Sequence, residues 1–572
     1  MRYLRMLTNA AAGGFLGAAF VVILVLQLNR QIPLTPGTLL PLYAKLSIYY
    51  AAHLTVLFYA LLVGRELIVR RPMEPAWLSV RLLSWVGLLV VSGAAALMWF
   101  NFASFSVVLD PDDGRRLAAA AGATTLCALL LAIIAIVHYS FGRRGSRVGA
   151  TLLVLTLVAS LAFPLAARGW GEPRPLPGRT IDISTSEPAE REGPQVTIVA
   201  VDGVSLDDIV QLVANGRLPA FGRLLEGGVS MYLETLRPTH PLPVWAAVAT
   251  GKYPAKNGIR AAAAYVYAEA RDPIELLPDF CFSHALVHLG ILRADEHLAT
   301  SLRARPLWSI LSGQRIPVGV IGWPVTSPAS PLRGFLITDR FHLSVRGSAP
   351  WRDEDLGYPS EAVLRARAIA AGPLAVPAGS VEHPPIARDA WHRELAVQLR
   401  DEYRPRLLAI RYEGLDRAGH LYLQYARPRE FGNVSASERA RFGRLLDQHY
   451  AFLDGEISSL LETMGPEDVL FVVSGFGMEP VSLGKRLLAR ALGQPQVSGS
   501  HEGAPDGFLL AYGGPVRTGR ARLGTLVDIV PTILYFLGLP VGRDMDGVAR
   551  TDLFRPSFIA TRPITFIPSY ER

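Results

Sequence analysis

Cysteine is nearly missing from this sequence, with only 2 among 572 residues. Cys127 lies within a long apolar segment and Cys281 lies in the more polar half of the chain, so we expect no disulfide bond between them. The sequence contains no CxxC pair. These absences exclude a disulfide-stabilised scaffold and a cysteine-ligated metal site.

Charged residues are also few, at 19% of the chain, whereas hydrophobic residues make up 50% and the mean hydropathy is +0.27. The net charge is +8, but the basic residues, nearly all arginine, are scattered or lie beside apolar segments. Because no basic patch is interleaved with aromatic residues, we expect no nucleic-acid partner. The length and hydropathy predict more than one domain, with part of the chain in a lipid bilayer.

Five apolar stretches lie within residues 1–168, each close to the about 20 residues that a bilayer requires. They cover residues 8–29, 41–63, 82–101, 117–139 and 148–167. Charged residues are almost absent within them, so nothing indicates a transport pathway. The pattern predicts an all-α bundle of five transmembrane helices that anchors the rest of the chain.

The positions of the arginines predict the orientation of this bundle. Arginines precede the first stretch and cluster in the loops after the second and fourth, whereas the loop after the third carries Asp110, Asp112 and Asp113. By the positive-inside rule the N-terminus is cytoplasmic, and an odd number of spans places the remaining chain outside. We therefore expect a bacterial-type inner-membrane protein whose large C-terminal domain is periplasmic or extracellular.

The residue composition of the sequence changes twice after the last apolar stretch. Residues 169–195 are rich in Pro, Gly, Ser and charge and predict a linker. From 196 to about 560, short β-branched runs such as QVTIVAVDG, RLLAIRY and DVLFVVSGFG alternate with helical patterns such as 208–227 and 446–463. This alternation predicts a doubly wound, mostly parallel α/β sheet, with an insertion at about 260–400 and a C-terminal tail at 561–572.

A candidate metal site follows one of these strands. In RYEGLDRAGH, residues 411–420, Asp416 and His420 lie four residues apart just after the run RLLAIRY. An open α/β sheet places its chemistry at such strand ends. With His501 of GSHEGAPDG, they make the two-histidine, one-carboxylate set that holds a catalytic divalent metal.

The C-terminal part of the chain contains a series of motifs: the strand ending in Asp202 and Gly203, NGRLPAFGRLLEGG, the helix ending in TGKYPAKNGI, YEGLDRAGH, GSHEGAPDGFLLAYGGP and LVDIVPTILYFLGLP. Together these motifs resemble the type I phosphodiesterase and nucleotide pyrophosphatase branch of the alkaline phosphatase superfamily. They occur in the family's order over roughly 196–555. The resemblance implies an alkaline-phosphatase-like fold with an inserted cap region.

The resemblance also implies two metal ions, usually zinc, that clamp a phosphoryl group. Asp416, His420 and His501 match the ligands of one ion. Asp202 matches a ligand of the second, but Gly475 and Phe476 stand where an Asp-His pair should be. Neither side chain can bind a hard cation, so we expect one complete metal site, with zinc as the ion.

The nucleophile expected from the resemblance is also displaced, because its place falls near Pro241 and Leu242. Thr239 lies slightly upstream, and His240 is a second candidate, either as a phosphoryl acceptor or as a substitute ligand. The segment PTHP is equally consistent with a rigid turn. Lys252 and Asn257 are candidates for substrate binding, although for the lysine a solvated surface position is the preferred alternative.

Two functions follow from these residues. The first is a membrane-anchored, metal-dependent phosphodiesterase or phosphotransferase that acts on a lipid-linked or envelope phosphate ester at the outer membrane face. The second is a catalytically reduced relative that binds a phosphorylated or lipid-linked ligand, or a partner, without turnover. The variant Gly475→Asp with Phe476→His distinguishes the two functions, because it should create activity only if the rest of the site is intact.

Overall fold

The computed structural model describes residues 1–69, 75–141, 147–171, 193–267, 272–278, 281–345, 351–372, 384–432, 434–491, 497–501 and 503–571. Most of the predicted linker at 169–195 lies outside these residues. The chain forms two compact units, the first made of Met1–Leu176 and Ala263–Glu296 and the second of Pro177–Ala262 and His297–Arg572. The domain boundaries drawn from the sequence stay a prediction.

The α-helices, in chain order, are α1 Arg2–Leu28, α2 Pro36–Val69, α3 Val80–Phe105, α4 Pro111–Phe141, α5 Arg147–Arg168, α6 Leu206–Ala214, α7 Pro219–Gly227, α8 Pro241–Thr250, α9 Pro254–Asn257, α10 Ser283–His288, α11 Leu307–Gly313, α12 Phe341–Val345, α13 Asp353–Leu356, α14 Ser360–Ala371, α15 Pro384–Tyr403, α16 Gly414–Ala426, α17 Ala436–Phe442, α18 Leu445–Thr463, α19 Leu483–Ala491, α20 Ile529–Phe536 and α21 Pro556–Thr561.

The strands, in chain order, are β1 Val196–Val201, β2 Val229–Glu234, β3 Ala263–Val266, β4 Arg293–Glu296, β5 Val318–Ile321, β6 Gly334–Ile337, β7 Gly357–Tyr358, β8 Leu407–Tyr412, β9 Val469–Phe476, β10 Glu479–Pro480, β11 Gly499–Ser500, β12 Asp506–Tyr512, β13 Gly519–Arg520, β14 Gly524–Thr525, β15 Val541–Gly542 and β16 Phe566–Ile567.

The first unit contains five helices, α1 to α5, that are long and apolar enough to cross a membrane. This confirms the five predicted apolar helices. Glycines on one face of α1 allow close packing, since a Cβ at Gly13 would lie 2.2 Å from Val86 Cγ1 and one at Gly14 would lie 2.3 Å from Thr55 Oγ1. Small residues at such contacts are the usual means by which apolar helices approach one another.

The segment Ala263–Glu296 belongs to the same unit although the residues on either side of it belong to the second. Its strands β3 and β4 form an antiparallel pair. Leu286, Ile291 and Leu292 pack in one apolar cluster with residues of α1 and α2. The remainder of the predicted insertion at 260–400 carries β5 to β7 and α11 to α15, so much of it is part of the main sheet and its helices.

The second unit is organised around a sheet with the strand order β13-β2-β12-β9-β1-β8-β5-β6-β7. The neighbours β9, β1, β8, β5 and β6 run parallel, whereas β12 and β7 are antiparallel to their neighbours. Separate apolar clusters cover the two faces, one including α8, α11 and α20 and the other including α6, α7, α15 and α18. The doubly wound α/β fold class is confirmed, as a mixed sheet.

Register brings three strand ends to one place on the sheet edge. Val201 at the end of β1 pairs with Tyr412 of β8 on one side and Ser474 of β9 on the other. The residues that follow these positions therefore meet, as carboxyl ends of parallel strands do. The helix predicted over 208–227 is instead two helices, α6 and α7, separated by a turn in which Gly216 has a φ of +69°.

Candidate metal centre

Asp416 and His420 lie on one face of α16, which begins directly after β8. Residues four apart on a helix are neighbours on its surface, and His420 Nε2 lies 3.6 Å from Asp416 Oδ2. His501 follows β11, and its ring centroid lies 5.2 Å from that of His420. One ligand atom from each of the three side chains lies within 4.8 Å of the others. The structure thus brings the predicted triad together.

Backbone carbonyls orient both imidazoles. His420 Nδ1 lies 2.7 Å from the carbonyl oxygen of Gly499, and His501 Nδ1 lies 2.9 Å from that of Thr239. A carbonyl only accepts hydrogen bonds, so each Nδ1 carries a proton and each neutral ring has its lone pair on Nε2. This arrangement is the one that metal-binding histidines require.

The residues present fit a divalent ion. Asp416 Oδ1 is buried and has no hydrogen-bond partner among the described residues. Zinc binds nitrogen and oxygen at about 2.0 to 2.2 Å, so two ligands of one ion are at most about 4.4 Å apart, and a small inward movement closes the site. Two imidazoles and one carboxylate suit zinc or another transition ion.

Gly203 makes room for this arrangement. It follows Asp202 at the end of β1 with a φ of +70°, a conformation that L side chains rarely adopt. A Cβ at this position would lie 2.9 Å from Asp416 Cα and 3.0 Å from Asp416 Oδ1. Gly203 is therefore needed for the observed position of the Asp416 carboxylate.

Burial and neighbouring charges shift the pKa values of three side chains at the site. Burial raises the pKa of the Asp416 carboxyl, and the neighbouring His420 opposes this shift. Burial and the proximity of His420 lower the pKa of His501. Burial, with a smaller effect of His501, lowers the pKa of His240 to about 4. Neutral imidazoles can act as metal ligands.

Asp202 is almost fully buried and is paired with Arg411 instead of joining the triad. Arg411 Nε donates to Asp202 Oδ1 over 3.1 Å and Nη2 donates to Oδ2 over 2.5 Å. The third donor of the guanidinium, Nη1, binds Glu413 Oε2 at 3.2 Å. Burial opposes the charge on Arg411, but the two carboxylates outweigh it and raise the pKa of the guanidinium above its ordinary value.

Glu413 is the centre of a wider charge network behind the triad. It binds Arg388 and Arg411, and Arg417 Nε lies 2.5 Å from its Oε1. Burial opposes its ionisation, but the three guanidinium groups lower the pKa of Glu413 to about 2. Arg388, Arg411 and Glu413 are not among the site residues predicted from the sequence, although a charged residue at the end of a buried strand, as in RYEG, is a signal that could have found two of them.

The positions of Gly475 and Phe476 are filled by apolar groups. A Cβ at Gly475 would lie 2.3 Å from Val244 Cγ1 of α8. Phe476 is completely buried, with its ring centroid 5.0 Å from that of His501. Since the Asp202 carboxylate is also occupied by Arg411, these residues do not fit a second metal ion.

The candidate nucleophiles lie beside the triad without joining it. Thr239 is completely buried, and its Oγ1 donates to the carbonyl oxygen of Leu236 over 2.8 Å. Its own carbonyl accepts the hydrogen bond from His501. His240 is the N-cap residue of α8 and its side chain makes no capping hydrogen bond. Their catalytic roles stay predictions.

Lys252 and Asn257 have structural contacts of their own. Lys252 is buried, with Nζ 2.6 Å from Asp544 Oδ2 and 2.7 Å from Glu571 Oε1. A solvated surface position, the alternative from the sequence, is therefore wrong. Asn257 donates to the Lys252 carbonyl over 2.8 Å and accepts from the amide of Ile259. These contacts already use both side chains, and their substrate-binding role stays a prediction.

The strand ends of the doubly wound α/β sheet thus carry one carboxylate and two histidines, a set of side chains that suits a divalent metal ion. The family model described as Type I phosphodiesterase / nucleotide pyrophosphatase matches residues 196–495, and the chain belongs to this family of phosphate-ester hydrolases. No curated protein matches the chain.

Two solved structures of ectonucleotide pyrophosphatase / phosphodiesterase 5 resemble the chain. The murine protein, an inactive variant in complex with AMP, is 13% identical with a TM-score of 0.40, over 64% of this chain and 100% of its own. The human protein is also 13% identical with a TM-score of 0.40, over 63% of this chain and 100% of its own.

Proposed function

We propose that this chain is a membrane-inserted phosphodiesterase or phosphotransferase that depends on one divalent ion held by Asp416, His420 and His501. The convergence of the three ligand atoms within 4.8 Å carries this proposal, because it includes the buried Asp416 carboxylate, whose Oδ1 has no hydrogen-bond partner among the described residues. Family membership supports a phosphate ester as the substrate. Zinc is the proposed ion.

A divalent ion at this site would supply a Lewis acid for a phosphoryl oxygen and a means of activating water. The protein's own part is positional. Gly499 and Thr239 hold the two imidazoles through backbone carbonyls, and Gly203 leaves space for the carboxylate of Asp416. Such fixed orientation removes the cost of reorganisation when the substrate binds.

Arg411 replaces the second cation that the family resemblance implies. Its guanidinium neutralises Asp202, the carboxylate that would otherwise face a second ion, and Glu413 holds it in place. Because an arginine in a protein is always charged, this positive charge needs no metal supply. We therefore propose a centre with a single ion beside a permanent guanidinium.

Hydrolysis without a covalent enzyme intermediate is the proposed course of the reaction. The Thr239 hydroxyl is buried and donates to Leu236, so it is not free to attack a phosphoryl group. Water is then the nucleophile in hydrolysis, and an acceptor alcohol takes its place in transfer. Burial lowers the pKa of His240 to about 4, so its imidazole is neutral near pH 7 and can accept a hydrogen bond from either nucleophile.

Action at the outer membrane face on a lipid-linked phosphate ester is the second part of the proposal. The five apolar helices support membrane insertion, and the arginine-rich loops support an N-terminus on the cytoplasmic side. A membrane-bound enzyme shares a surface with lipid-linked substrates, which raises their effective concentration.

A second candidate function is ligand binding without turnover. The observation that favours it is the apolar filling at Gly475 and Phe476, where Val244 and the ring of Phe476 occupy the space of catalytic ligands in the family pattern. In that case the triad would bind a metal and a phosphorylated ligand, and no ester bond would break.

Hydrolysis of bis(p-nitrophenyl) phosphate by the purified full-length protein tests the proposal. We expect release of nitrophenol in the presence of zinc or manganese, and loss of this activity in His420→Ala. His288→Ala is the matched control, because His288 is exposed and lies in α10, outside the triad. Absence of turnover with zinc, manganese, magnesium and calcium, while metal remains bound, would support the second candidate function.

A further inference from the structure

The segment Ala263–Glu296 leaves and rejoins the unit that carries the metal ligands, and its part from 281 to 292 contains no Asp, Glu, Lys or Arg. It begins after Ala262 and ends before His297, and it is part of the first compact unit. The chain therefore passes between the two units three times, near residues 176, 262 and 296. A single anchor would need only one such connection.

Polar contacts fix the segment to the end of α1. Asn29, directly after α1, donates through Nδ2 to the carbonyl of Leu276 over 2.6 Å and accepts through Oδ1 from the amides of Glu275 and Leu276 at 2.7 and 2.9 Å. Gln31 Nε2 donates to the carbonyl of Pro273 over 3.0 Å. Because Asn29 is completely buried, these bonds replace water at this helix end.

From there the segment extends along α2 to a level well inside the predicted span. Tyr50 OH lies 2.9 Å from Cys281 Sγ, and the ring centroids of Tyr49 and Phe282 are 6.4 Å apart. Tyr50 is nine residues beyond Pro41, where the predicted span begins, which corresponds to about 14 Å along a helix axis. The hydrocarbon core of a bilayer is about 30 Å thick. Cys281 and Phe282 therefore lie at a depth that the apolar spans assign to lipid.

The segment presents apolar side chains on both of its sides. Leu286 is completely buried in the cluster with α1 and α2. On the other side, Phe282 is 49% exposed and Leu289 is 59% exposed, with the imidazoles of His284 and His288 exposed in the same helix, and Ile48 on the adjoining α2 is 67% exposed. An exposed apolar surface continuous with that of membrane-spanning helices is what contact with acyl chains requires.

We propose that residues 281–292 of this segment are embedded in the bilayer leaflet nearest the C-terminal end of α1, with Phe282 and Leu289 in contact with lipid acyl chains. It is a second membrane contact that does not span the bilayer. The proposal rests on the membrane insertion proposed above for α1 to α5. As a consequence, the unit that carries Asp416, His420 and His501 is connected to the membrane at three points of the chain. One connection follows α5, and the other two are the ends of the segment Ala263–Glu296.

Fluorescence quenching in the full-length protein tests this contact. The two native cysteines are first replaced by Cys127→Ser and Cys281→Ser, and the new hydroxyl at position 281 remains a hydrogen-bond partner for Tyr50. An environment-sensitive fluorescent probe is then attached to the cysteine introduced by Leu289→Cys. Matched probes are placed at Ile133→Cys on α4, where the side chain is 58% exposed, and at Val548→Cys in the second unit, where it is 62% exposed. Each protein is reconstituted in phosphatidylcholine nanodiscs with or without lipids that carry a doxyl quencher on the acyl chain.

The probe at Leu289 is expected to behave like that at Ile133. Its emission is lost to the doxyl lipid, and quenching by aqueous iodide is at least about threefold weaker than at Val548, as for a side chain in the acyl region. Iodide quenching equal to that at Val548, with no doxyl effect, would overturn the inference while Ile133 remains quenched by doxyl. If Ile133 also escapes the doxyl lipid, the membrane insertion itself is contradicted. Phe282→Cys repeats the test if Leu289→Cys is not recovered as a monodisperse protein.

Discussion

Arg411 and Asp202 form a buried ion pair with two parallel hydrogen bonds, joining the ends of the adjacent strands β8 and β1. Their side chains are 8% and 1% exposed. A planar guanidinium matches a carboxylate in this geometry better than any other cationic side chain. The pair places a guanidinium, whose charge is balanced by Asp202, at the strand ends where the metal triad also lies.

Removing the carboxylate of this pair should destabilise the protein without removing the metal. Asp202→Asn leaves a buried guanidinium with one partner fewer, which costs about 3 to 5 kcal/mol in comparable buried pairs. We expect a lower melting temperature in detergent and an unchanged metal content. The double variant Asp202→Leu with Arg411→Met should be less destabilised than Asp202→Asn, because no charge is left unpaired.

Asp208→Asn is the matched control for this comparison. Asp208 pairs with Arg427, but their side chains are 24% and 33% exposed, and pairs near the surface contribute about 0 to 1 kcal/mol. Equal melting temperatures for the two asparagine variants would contradict a structural role for the buried pair.

Gly203→Ala should weaken metal binding although it removes no ligand. The new Cβ would lie 2.9 to 3.1 Å from Asp416 atoms, so the carboxylate must move, and the positive φ adds strain. Changes in the groups that position metal ligands typically cost about 10- to 100-fold in affinity. Titration with a chelator that competes for zinc measures the effect. Gly216→Ala, also at a positive φ but with no atom within 4 Å of the added Cβ, provides the strain-only control and should keep full affinity.

Restoring the family ligands at the second site should fail in the present packing. Gly475→Asp with Phe476→His places a Cβ 2.3 Å from Val244 Cγ1, so we expect a lower melting temperature and no additional metal. Adding Val244→Ala removes the clashing methyl group and should recover part of the melting temperature. A second bound ion in the double variant would show that Asp202 can leave Arg411.

Lys252→Met should reduce stability and leave the Michaelis constant for bis(p-nitrophenyl) phosphate unchanged. The substitution leaves Asp544 and Glu571 without their buried partner, at a cost of about 1 to 3 kcal/mol. Lys256→Met is the control, because that lysine is 48% exposed and pairs with Asp546 near the surface. A raised Michaelis constant at constant melting temperature would instead indicate contact with the substrate.

The strands that carry the site and most of the metal triad could be predicted from the sequence, because they depend on local patterns. Short apolar runs identify β1, β8 and β9, and a DxxxH spacing on a helix places Asp416 and His420 on one face. The five apolar helices follow from length and hydropathy alone. His501 was found through its motif, since nothing local connects it with residues about 80 positions earlier.

The other parts of the site depend on long-range packing that local patterns do not contain. Arg411 meets Asp202 only because β8 lies beside β1 in the sheet, 209 residues apart in the chain. Gly475 and Phe476 revealed that ligands were missing, but not that Val244 of α8 fills the space. Likewise, an irregular composition at 260–400 could not show that, among the residues the structure describes there, Ala263–Glu296 belongs with the apolar helices.

The metal content of the full-length protein shows whether Asp416, His420 and His501 form a single metal centre. The protein is saturated with zinc, freed of unbound metal by gel filtration and analysed by mass spectrometry of the elements. We predict a single ion per chain in the native protein and in Asp202→Asn, and none in His420→Ala or His501→Ala. Two ions in the native protein, or retention of the ion after loss of either histidine, would contradict a single centre formed by Asp416, His420 and His501.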